Sequence, residues 1–350
     1  MSVLFNSLHG DLSRLSLGES GAIPGEWKGR GALYFENNDL AAPVLLLDEM
    51  NAESYRLQIE MACPGPYGFV GLVFGARDAQ NFELVYVSPG TDDEPGEIQY
   101  DPIMNGSSTW QIYNGPRYQA PAPMPSGEWT QLAVEVKGRS AAVYVGDSSS
   151  PQLFIPNLLH GPCTGKVGVW GYLPSYVRHL TVEDTGSALT LEAPDDLSRL
   201  MSETYVTEWL VSGPYPYGTA IPADMSWTKA AVEENGTLNI NRLFPADRDV
   251  TIQVRSTFSI SEDQETMLSF GFSDELRLYM NEQEVYQGEW KWAPPESDGR
   301  IRPDHIKLPV SWKAGIYTIR AELTSREGMF GWGLGVRTGL TDISWHSEEQ

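Results

Sequence analysis

The chain of 350 residues has little of what a disulfide scaffold or a nucleic-acid-binding protein requires. Two cysteines, Cys63 and Cys163, are too few for a disulfide framework. We expect two unpaired thiols, although a bridge between their Pro/Gly loops stays open. Lys and Arg number 24 against 47 Asp and Glu, and the net charge is −23. Because phosphate backbones need clustered cations, this charge excludes a nucleic-acid partner and suits neutral or cationic ligands.

A long apolar run is also missing near the first residues, which read MSVLFNSLHGDLSRL. A secretory signal needs a basic start and an uninterrupted apolar stretch, and a membrane helix needs about 20 apolar residues. We therefore expect no membrane partner and a cytoplasmic protein, or a secreted one if an export signal has been removed. The oligomeric state is not readable from the sequence.

Motifs of the common enzyme classes are absent, including H-E-x-x-H, G-x-S-x-G, the P-loop and the dinucleotide fingerprint. The histidines form no cluster with cysteine, so we expect no zinc and no cofactor. A structural calcium ion stays open, because hard cations prefer carboxylate oxygens and acids are close together in one loop. These acids are Asp92, Asp93 and Glu94.

Glycine and proline are abundant instead, with 34 and 24 residues, and they supply turns throughout the chain. Apolar positions alternate with others in successive segments, at Val134 and Val136, Val143 and Val145, and Val167 and Val169. Such alternation is typical of half-buried strands, and the length suggests about two domains. The sequence thus predicts an all-β protein with two β-sandwich (jelly-roll) domains and a short linker that could carry a short helix.

The segments around residues 129–182 carry a family resemblance. They read EWTQLAVEVKG, SAAVYVG, TGKVGVWG and VRHLTVE, in that order. This order resembles the concanavalin A-like lectin/glucanase domains, particularly their laminin-G-like and keto-disaccharide hydrolase-like relatives. The resemblance implies a jelly roll over residues 1–187 and a role with carbohydrate, either as a lectin or as a glucanase.

A second resemblance lies in the other half of the chain, over residues 203–340. The segment SDELRLYMN ending at Asn281 and the segment WKAGIYTIRA starting at Trp312 resemble galactose-binding-like jelly rolls. Such domains often carry an Asn-Gly turn between two strands, whereas Glu282 follows Asn281 here, so we expect a longer turn. Residues 341–350 are polar and predict a tail.

The predicted linker covers residues 188–202, where the β pattern is interrupted. Asp195 or Asp196 is suited to cap a short helix. Apolar side chains follow at i, i+3 and i+4 spacing, at Leu197, Leu200 and Met201. The spacing predicts one helical face packed on a domain.

Aromatic and polar side chains concentrate between Glu97 and Tyr118. Aromatic rings beside amide, carboxylate and guanidinium groups are what a saccharide needs, because sugars have apolar C–H faces and rims of hydroxyls. The candidate ligand-binding residues are Tyr100, Trp110, Gln111, Tyr113, Asn114, Arg117 and Tyr118. The alternative is that these aromatics fill the core between two sheets. If the segment is a strand, Trp110 and Gln111 point to opposite faces.

Trp290 and Trp292 form a second candidate in the segment GEWKWAPPESDGR. In a strand both indoles lie on one face, with Lys291 opposite. Exposed, the pair would be a stacking platform for a sugar or a contact between domains; buried, it would be core. Trp332, between two glycines, is predicted to be core.

A hydrolase of this fold would need two carboxyl groups about 5–9.5 Å apart. The E-x-D-x-x-E signature of the lectin-fold glucanases is absent, and the first suspects are Glu97 and Asp101. On one strand these two would be ~13 Å apart, which exceeds that range. A pair assembled from distant strands stays open.

Three functions are therefore carried forward. The leading hypothesis is a carbohydrate-binding protein that recognises a glycan through the aromatic and polar groove of its first domain, without catalysis. A glycoside hydrolase or related glycan-processing enzyme is the alternative. A structural or assembly module that binds no sugar is the third. Which glycan is bound, and whether both domains share one site, is not readable from the sequence.

Overall fold

The computed structural model describes residues 2–6, 12–37, 42–91, 95–186 and 196–346, the first range by its backbone. Contacts divide the chain into two compact units, Met1–Ala193 and Pro194–Gln350, a division inside the predicted linker. Strands make up 55% of the structure and helix 3%, which confirms the all-β class. Among the described residues, no helix has the length and apolar composition that crossing a membrane would require.

The first unit contains strands that alternate between two antiparallel sheets. Their bounds are β1 Ser2–Asn6, β2 Leu15–Ser16, β3 Ile23–Trp27, β4 Arg30–Phe35, β5 Val44–Met50, β6 Ser54–Ala62, β7 Phe69–Ala76, β8 Glu83–Ser88, β9 Gly96–Tyr100, β10 Gln119–Ala122, β11 Thr130–Lys137, β12 Ser140–Val145, β13 Leu153–Ile155, β14 Gly165–Tyr172 and β15 Ser175–Asp184. Within the described ranges, sheet I has the order β13-β12-β11-β6-β15-β4-β3, and β1 also pairs with β15. Sheet II has the order β10-β9-β8-β7-β14-β5-β2.

The core of the first unit lies between sheets I and II. On β6 the predicted face of Tyr55, Leu57, Ile59 and Met61 is fully buried, whereas the residues between them are partly exposed. Burying a large apolar side chain contributes about 1.5–3 kcal/mol, so this alternation fixes which face of β6 points inward. The period-2 pattern of the sequence is therefore confirmed here.

Both cysteines of the first unit are free and buried, as predicted. Burial raises the pKa of the Cys63 thiol to about 12. The hydroxyl of Tyr55 donates to the Cys163 carbonyl oxygen at 3.1 Å. Because a thiolate is the reactive form of cysteine, burial leaves both thiols unreactive in the folded unit.

The predicted linker helix is α1, which extends over Asp196–Ser202. Its side chains do not form the predicted face, because Leu200 is buried whereas Leu197 and Met201 are more than half exposed. Leu200 is the buried position of this seven-residue helix, and Arg199 adds a polar contact, since its Nη2 donates to the Glu234 carbonyl oxygen at 2.5 Å. Asp195 lies outside the described residues.

The second unit is also built from antiparallel sheets. Its strands are β16 Glu208–Ser212, β17 Tyr215–Pro216, β18 Trp227–Ala231, β19 Thr237–Asn239, β20 Val250–Ile260, β21 Gln264–Phe272, β22 Asp274–Met280, β23 Gln283–Trp290, β24 Trp292–Ala293, β25 Ser297–Asp298, β26 Ile306–Trp312, β27 Gly315–Ser325, β28 Gly333–Arg337 and β29 Ile343–Trp345, with a 3-10 turn at Ile240–Arg242. In the described part, sheet III has the order β18-β16-β20-β27-β22-β23, with β17 and β29 also paired to β20. Sheet IV has the order β19-β28-β21-β26, and β24 pairs with β25.

Three fully buried indoles, Trp209, Trp312 and Trp332, belong to the core of the second unit. The prediction for Trp332 is confirmed. The turn between β22 and β23 is not longer than usual, because Met280 pairs directly with Gln283. Asn281 and Glu282 both have positive φ, 47° and 64°, which is the backbone of a two-residue type I′ hairpin turn. Glu282 thus adopts a conformation that glycine usually provides.

Candidate functional site

The outer face of sheet II is identified by the residues on its inner face. A Cβ at Gly171 of β14 would lie 2.6 Å from the Phe35 ring of sheet I, and Gly171 pairs with Val70, which pairs with Val87 on the Glu83 side of β8. Glu83 therefore points toward sheet I, together with Val85 and Tyr100, which alternation and register place on the same face. Their neighbours in sequence point the opposite way, toward the outer face of sheet II.

One register row crosses the outer face from β14 to β9. Trp170 pairs with Gly71, Gly71 with Tyr86, and Tyr86 with Gln99. A Cβ at Gly71 would lie 2.1 Å from the Val85 carbonyl oxygen, so only glycine fits between the two aromatic residues. In this row, Trp170 and Tyr86 lie on either side of Gly71, so their rings can contact each other above it. Gln99 follows Tyr86 at the end of the row.

Four aromatic rings cover this region, and we call them the outer-face cluster: Phe69, Tyr86, Trp170 and Tyr172. The Tyr86 and Trp170 rings are 5.7 Å apart, and Trp170 and Tyr172 are stacked at 6.3 Å. Phe69 contacts Tyr86 edge-on at 5.5 Å and Tyr172 at 6.0 Å. Phe69 and Tyr172 are half-buried, so their rings form the accessible part of the cluster.

Two buried polar atoms on this face lack a protein partner. Trp170 Nε1 and Gln99 Oε1 make no hydrogen bond to any described residue. The other end of the Gln99 amide is satisfied, since Nε2 donates to the carbonyl oxygens of Tyr100 at 2.6 Å and Tyr113 at 2.8 Å. An unsatisfied buried polar group costs about 1–3 kcal/mol, so the Trp170 indole donor is suited to a water or a ligand hydroxyl. Gln99 is fully buried and does not reach a surface ligand.

Three tyrosines of the predicted groove belong to the interior instead. Tyr100, Tyr113 and Tyr118 are 0, 0 and 2% exposed, so they cannot be stacking platforms for a sugar. Tyr100 faces inward and donates from its hydroxyl to Glu83 Oε2 at 2.6 Å, and its ring stacks on Tyr118 at 6.4 Å. The core alternative is therefore correct for these three, because their rings fill space beside the β9 strand.

The rest of the predicted groove forms a turn. Residues 109–113 are not a strand, since the amides of Ile112 and Tyr113 both donate to the Thr109 carbonyl oxygen. Gln111 is fully buried and cannot reach a surface ligand. Half-buried side chains remain at Trp110, Asn114 and Arg117. This turn borders the outer-face cluster, because Gln99 donates to its Tyr113 carbonyl.

Glu97 and Asp101 do not form a pair of accessible acids. Glu97 is half-buried on β9, whereas Asp101 is 1% exposed. Asp101 accepts hydrogen bonds from the Ser108 hydroxyl at 2.6 Å and the Thr109 amide at 2.6 Å. Burial raises the pKa of Asp101 to about 6 despite these donors. Its carboxylate thus closes the loop that follows β9.

The acids of the proposed calcium loop, Asp92, Asp93 and Glu94, lie outside the described residues. Among the residues that the structure describes, no group of three or more His, Cys, Asp or Glu side chains could hold a metal ion.

Trp290 and Trp292 do not form one platform. Trp290 is half-buried, its Nε1 donates to the Arg300 carbonyl oxygen at 3.0 Å, and its ring lies 4.0 Å from His305. Trp292 is 56% exposed at the start of the short β24. Because β23 ends at Trp290, the two indoles belong to different strands, and Trp292 alone stays a candidate for stacking.

A further aromatic stack lies on the outer face of sheet I. Trp27 stacks on Tyr176 at 5.4 Å, and Tyr34 stacks on Tyr176 at 4.7 Å. All three side chains are half-buried. Because these rings stack on one another near the β3 edge of the sheet, much of their surface is already covered by neighbouring rings of the protein.

Comparisons with known proteins add little to this geometry. No protein-family model matches the chain, and no curated protein matches it. Similar solved structures include the carbohydrate-binding module CBM66 from Bacillus subtilis (14% identity, 49% of this chain and 95% of that chain, TM-score 0.37). Others are a protein of unknown function with a galectin-like fold from Bacillus subtilis (10%, 53% and 96%, 0.35) and sheep galectin-11 in complex with glycerol (13%, 41% and 99%, 0.30). These values carry no argument about function.

Proposed function

We propose that the first unit binds a carbohydrate on the outer face of sheet II, without cleaving it. The half-buried rings of Tyr172 and Phe69 stack on the apolar face of a sugar ring. The Trp170 indole N–H donates a hydrogen bond to one of its hydroxyls. Trp110, Asn114 and Arg117, from the bordering turn, extend the contact along the glycan.

The observation that carries this proposal is the combination of clustered rings with an unpaired indole donor on a face that points away from the core. Phe69 and Tyr172 are half-buried there, beside the Trp170 Nε1 that has no partner among the described residues. Saccharides match such a surface, because they offer apolar C–H faces and hydroxyls that both donate and accept.

The arrangement of the acids supports binding over hydrolysis by Glu97 and Asp101. Both oxygens of Asp101 accept hydrogen bonds from the loop at Ser108 and Thr109. A general acid must reach the glycosidic oxygen, and a buried carboxylate held by its own loop does not. The proposal therefore requires no proton transfer by these residues.

A Tyr172→Ala variant tests the proposed surface. We expect it to weaken glycan binding about tenfold, or about 1.4 kcal/mol, because one of the two half-buried rings of the cluster is lost. A glycan array on the purified chain identifies the sugar, and calorimetric titration of that sugar then compares the variant with the wild type. Thermal unfolding confirms that the variant is folded.

Tyr176→Ala is the matched control, because Tyr176 is also a half-buried tyrosine of the first unit but lies on the opposite sheet. We expect its glycan affinity to equal that of the wild type. A loss of binding in Tyr176→Ala with none in Tyr172→Ala would move the site to sheet I. An array without any hit would favour the assembly module.

A further inference from the structure

The segment that leads into β7 continues the outer face of sheet II beyond the outer-face cluster. A Cβ at Gly68 would lie 2.8 Å from the Sγ of Cys63, which is fully buried. Gly68 therefore faces the interior, as the buried Val70 does on β7. Because consecutive residues of an extended chain point to opposite sides, Tyr67 points outward together with Phe69. Tyr67 thus extends the accessible side of the cluster by one position along the chain.

Three accessible rings follow one another at this end of the sheet, and we call Tyr172, Phe69 and Tyr67 the ring strip. Tyr172 and Phe69 are half-buried with their rings 6.0 Å apart, and Tyr67 is 78% exposed. The turn after Tyr172 lies beside Tyr67, because a Cβ at Gly68 would lie 3.2 Å from the Pro174 carbonyl oxygen. A lone exposed ring is ordinary on a protein surface, whereas contiguous apolar side chains mark a binding surface.

The loop that carries Tyr67 is short and restrained. Pro64 and Pro66 are two of the three residues between Cys63 and Tyr67, and each proline ring fixes its own φ. The Gly127 amide donates to the Cys63 carbonyl oxygen at 2.7 Å, which ties the start of this loop to a second loop. Because ordering a loop on binding costs free energy, a ring on a restrained loop keeps more of its contact energy for a ligand.

We propose that the ring strip binds an unbranched chain of pyranoses of the cellulose type, which runs along β7; this rests on the carbohydrate site proposed above. One sugar unit packs on Phe69 and Tyr172, and the next unit packs on Tyr67. Two residues along a strand cover ~6.6 Å, which leaves room for one sugar unit at each position. Tyr67 therefore makes the site prefer a chain over a single sugar.

The position of all three rings on one side of the chain also limits the kind of sugar. In an extended chain of the cellulose type, neighbouring units turn opposite faces to the same side. Both faces of each unit must therefore be apolar if neighbouring units are to stack on one strip of rings. Glucose and xylose units meet this condition, because their equatorial hydroxyls leave C–H groups on both faces.

Binding of cellotetraose and of glucose to the full chain tests this proposal, with titration followed by NMR or calorimetry. We expect cellotetraose to bind at least about tenfold more tightly than glucose, because only the chain reaches Tyr67 and the other two rings together. Tyr67→Ala should weaken cellotetraose binding about tenfold and change glucose binding less than about twofold, because glucose still packs on Phe69 and Tyr172.

Two further variants show whether the ring of Tyr67 is what matters. Tyr67→Phe keeps the ring and removes the hydroxyl, so it should bind cellotetraose as the wild type does. Phe154→Ala is the matched control, since Phe154 is a 46% exposed ring of the same unit but lies on β13 at the edge of sheet I. We expect Phe154→Ala to bind both sugars with wild-type affinity.

Comparison with Tyr172→Ala separates the failure of this proposal from the failure of the carbohydrate site itself. Weaker cellotetraose binding in Tyr172→Ala with wild-type binding in Tyr67→Ala would overturn the extension along β7 and leave the site in place. A wild type that binds another sugar of the array but not cellotetraose would overturn the sugar class alone. Wild-type binding in both variants would overturn both proposals. A Tyr67→Ala variant that changes only the sedimentation of the chain would show that Tyr67 contacts a second copy, and would also overturn the extension.

Discussion

A Gly71→Ala variant is expected to lose about 3 kcal/mol of unfolding free energy in the first unit. The new Cβ would lie 2.1 Å from the Val85 carbonyl oxygen and 2.6 Å from the Tyr86 Cα, so β7 and β8 would have to separate. These atoms are backbone and cannot rotate away as a flexible side chain could. Urea unfolding of the wild type and the variant measures the difference.

Gly31→Ala serves as the control for this substitution. A Cβ at Gly31 would meet no atom within 4 Å, and the residue lies in a strand of sheet I. We expect Gly31→Ala to unfold at the same urea concentration as the wild type or slightly above it, because alanine has less backbone entropy to lose. Equal stability of Gly71→Ala and Gly31→Ala would show that sheet II tolerates a side chain at position 71.

An Asp274→Asn variant is expected to be more stable than the wild type at alkaline pH, by about 1–3 kcal/mol. Asp274 is buried, and its Oδ2 accepts from the amides of Arg326 at 2.5 Å and Glu327 at 2.9 Å. Among the described residues, no donor reaches its Oδ1. Burial, and then the nearby Glu327 carboxylate, raise the pKa of Asp274 well above its ordinary value.

The sign of the pH dependence follows from this raised pKa. The folded state prefers the protonated acid, so the stability contributed by Asp274 is complete below the ordinary pKa of aspartate. It is lost as the pH rises through the raised value. Asparagine keeps the acceptor oxygen for both amides and remains neutral, so Asp274→Asn should lose less stability over that pH interval.

Asp263→Asn is the control for the pH measurement. Asp263 is an exposed carboxylate of the same unit, and its hydrogen bond from Lys313 holds its pKa below the ordinary value. Removing it should bring no gain in stability at alkaline pH. Denaturant unfolding from acid to alkaline pH compares the three proteins, and parallel curves for wild type and Asp274→Asn would contradict the role given to the buried carboxyl.

The fold class is predictable from the sequence because alternation is a local property. The residues of β6 alternate between buried and partly exposed, as the sequence predicts. The turns that precede and follow this strand contain asparagine, proline or glycine. The hairpin at Asn281 shows the limit of this reasoning. Glu282 adopts positive φ there, supported by the tertiary contact of Asn281 Oδ1 with the Thr318 amide at 2.8 Å, which the sequence does not reveal.

The candidate site was less predictable, because its residues come from separate strands. Sheet II is buried on much of both faces, so β7 and β8 read as nearly continuous apolar runs without a visible outer face. Only the register that places Trp170, Gly71 and Tyr86 in one row brings the rings together. One signal is present in the sequence. In the segment VGVWGY, alternation places the two valines on one face of the strand and Trp170 and Tyr172 on the other.

The aromatic segment after Glu97 misled the prediction for a related reason. Tyr100 lies on the inward-facing side of β9, where its hydroxyl donates a hydrogen bond to the Glu83 carboxylate. Composition alone does not distinguish a ring that fills the core from one that faces a ligand, because both need large apolar area. Among the polar neighbours, Asp101 holds the loop after β9 through hydrogen bonds from Ser108 and Thr109.

The resonance of the Trp170 indole N–H tests binding at the outer-face cluster most directly. The chain has 11 tryptophans, and Trp170→Phe assigns the signal by its absence from a nitrogen–proton correlation spectrum. Titration with the glycan identified on the array should shift this signal progressively to saturation, because Nε1 gains a hydrogen-bond acceptor and lies beside the stacking ring of Tyr172. A Trp170 signal that stays in place while the glycan saturates the protein would contradict the proposed site.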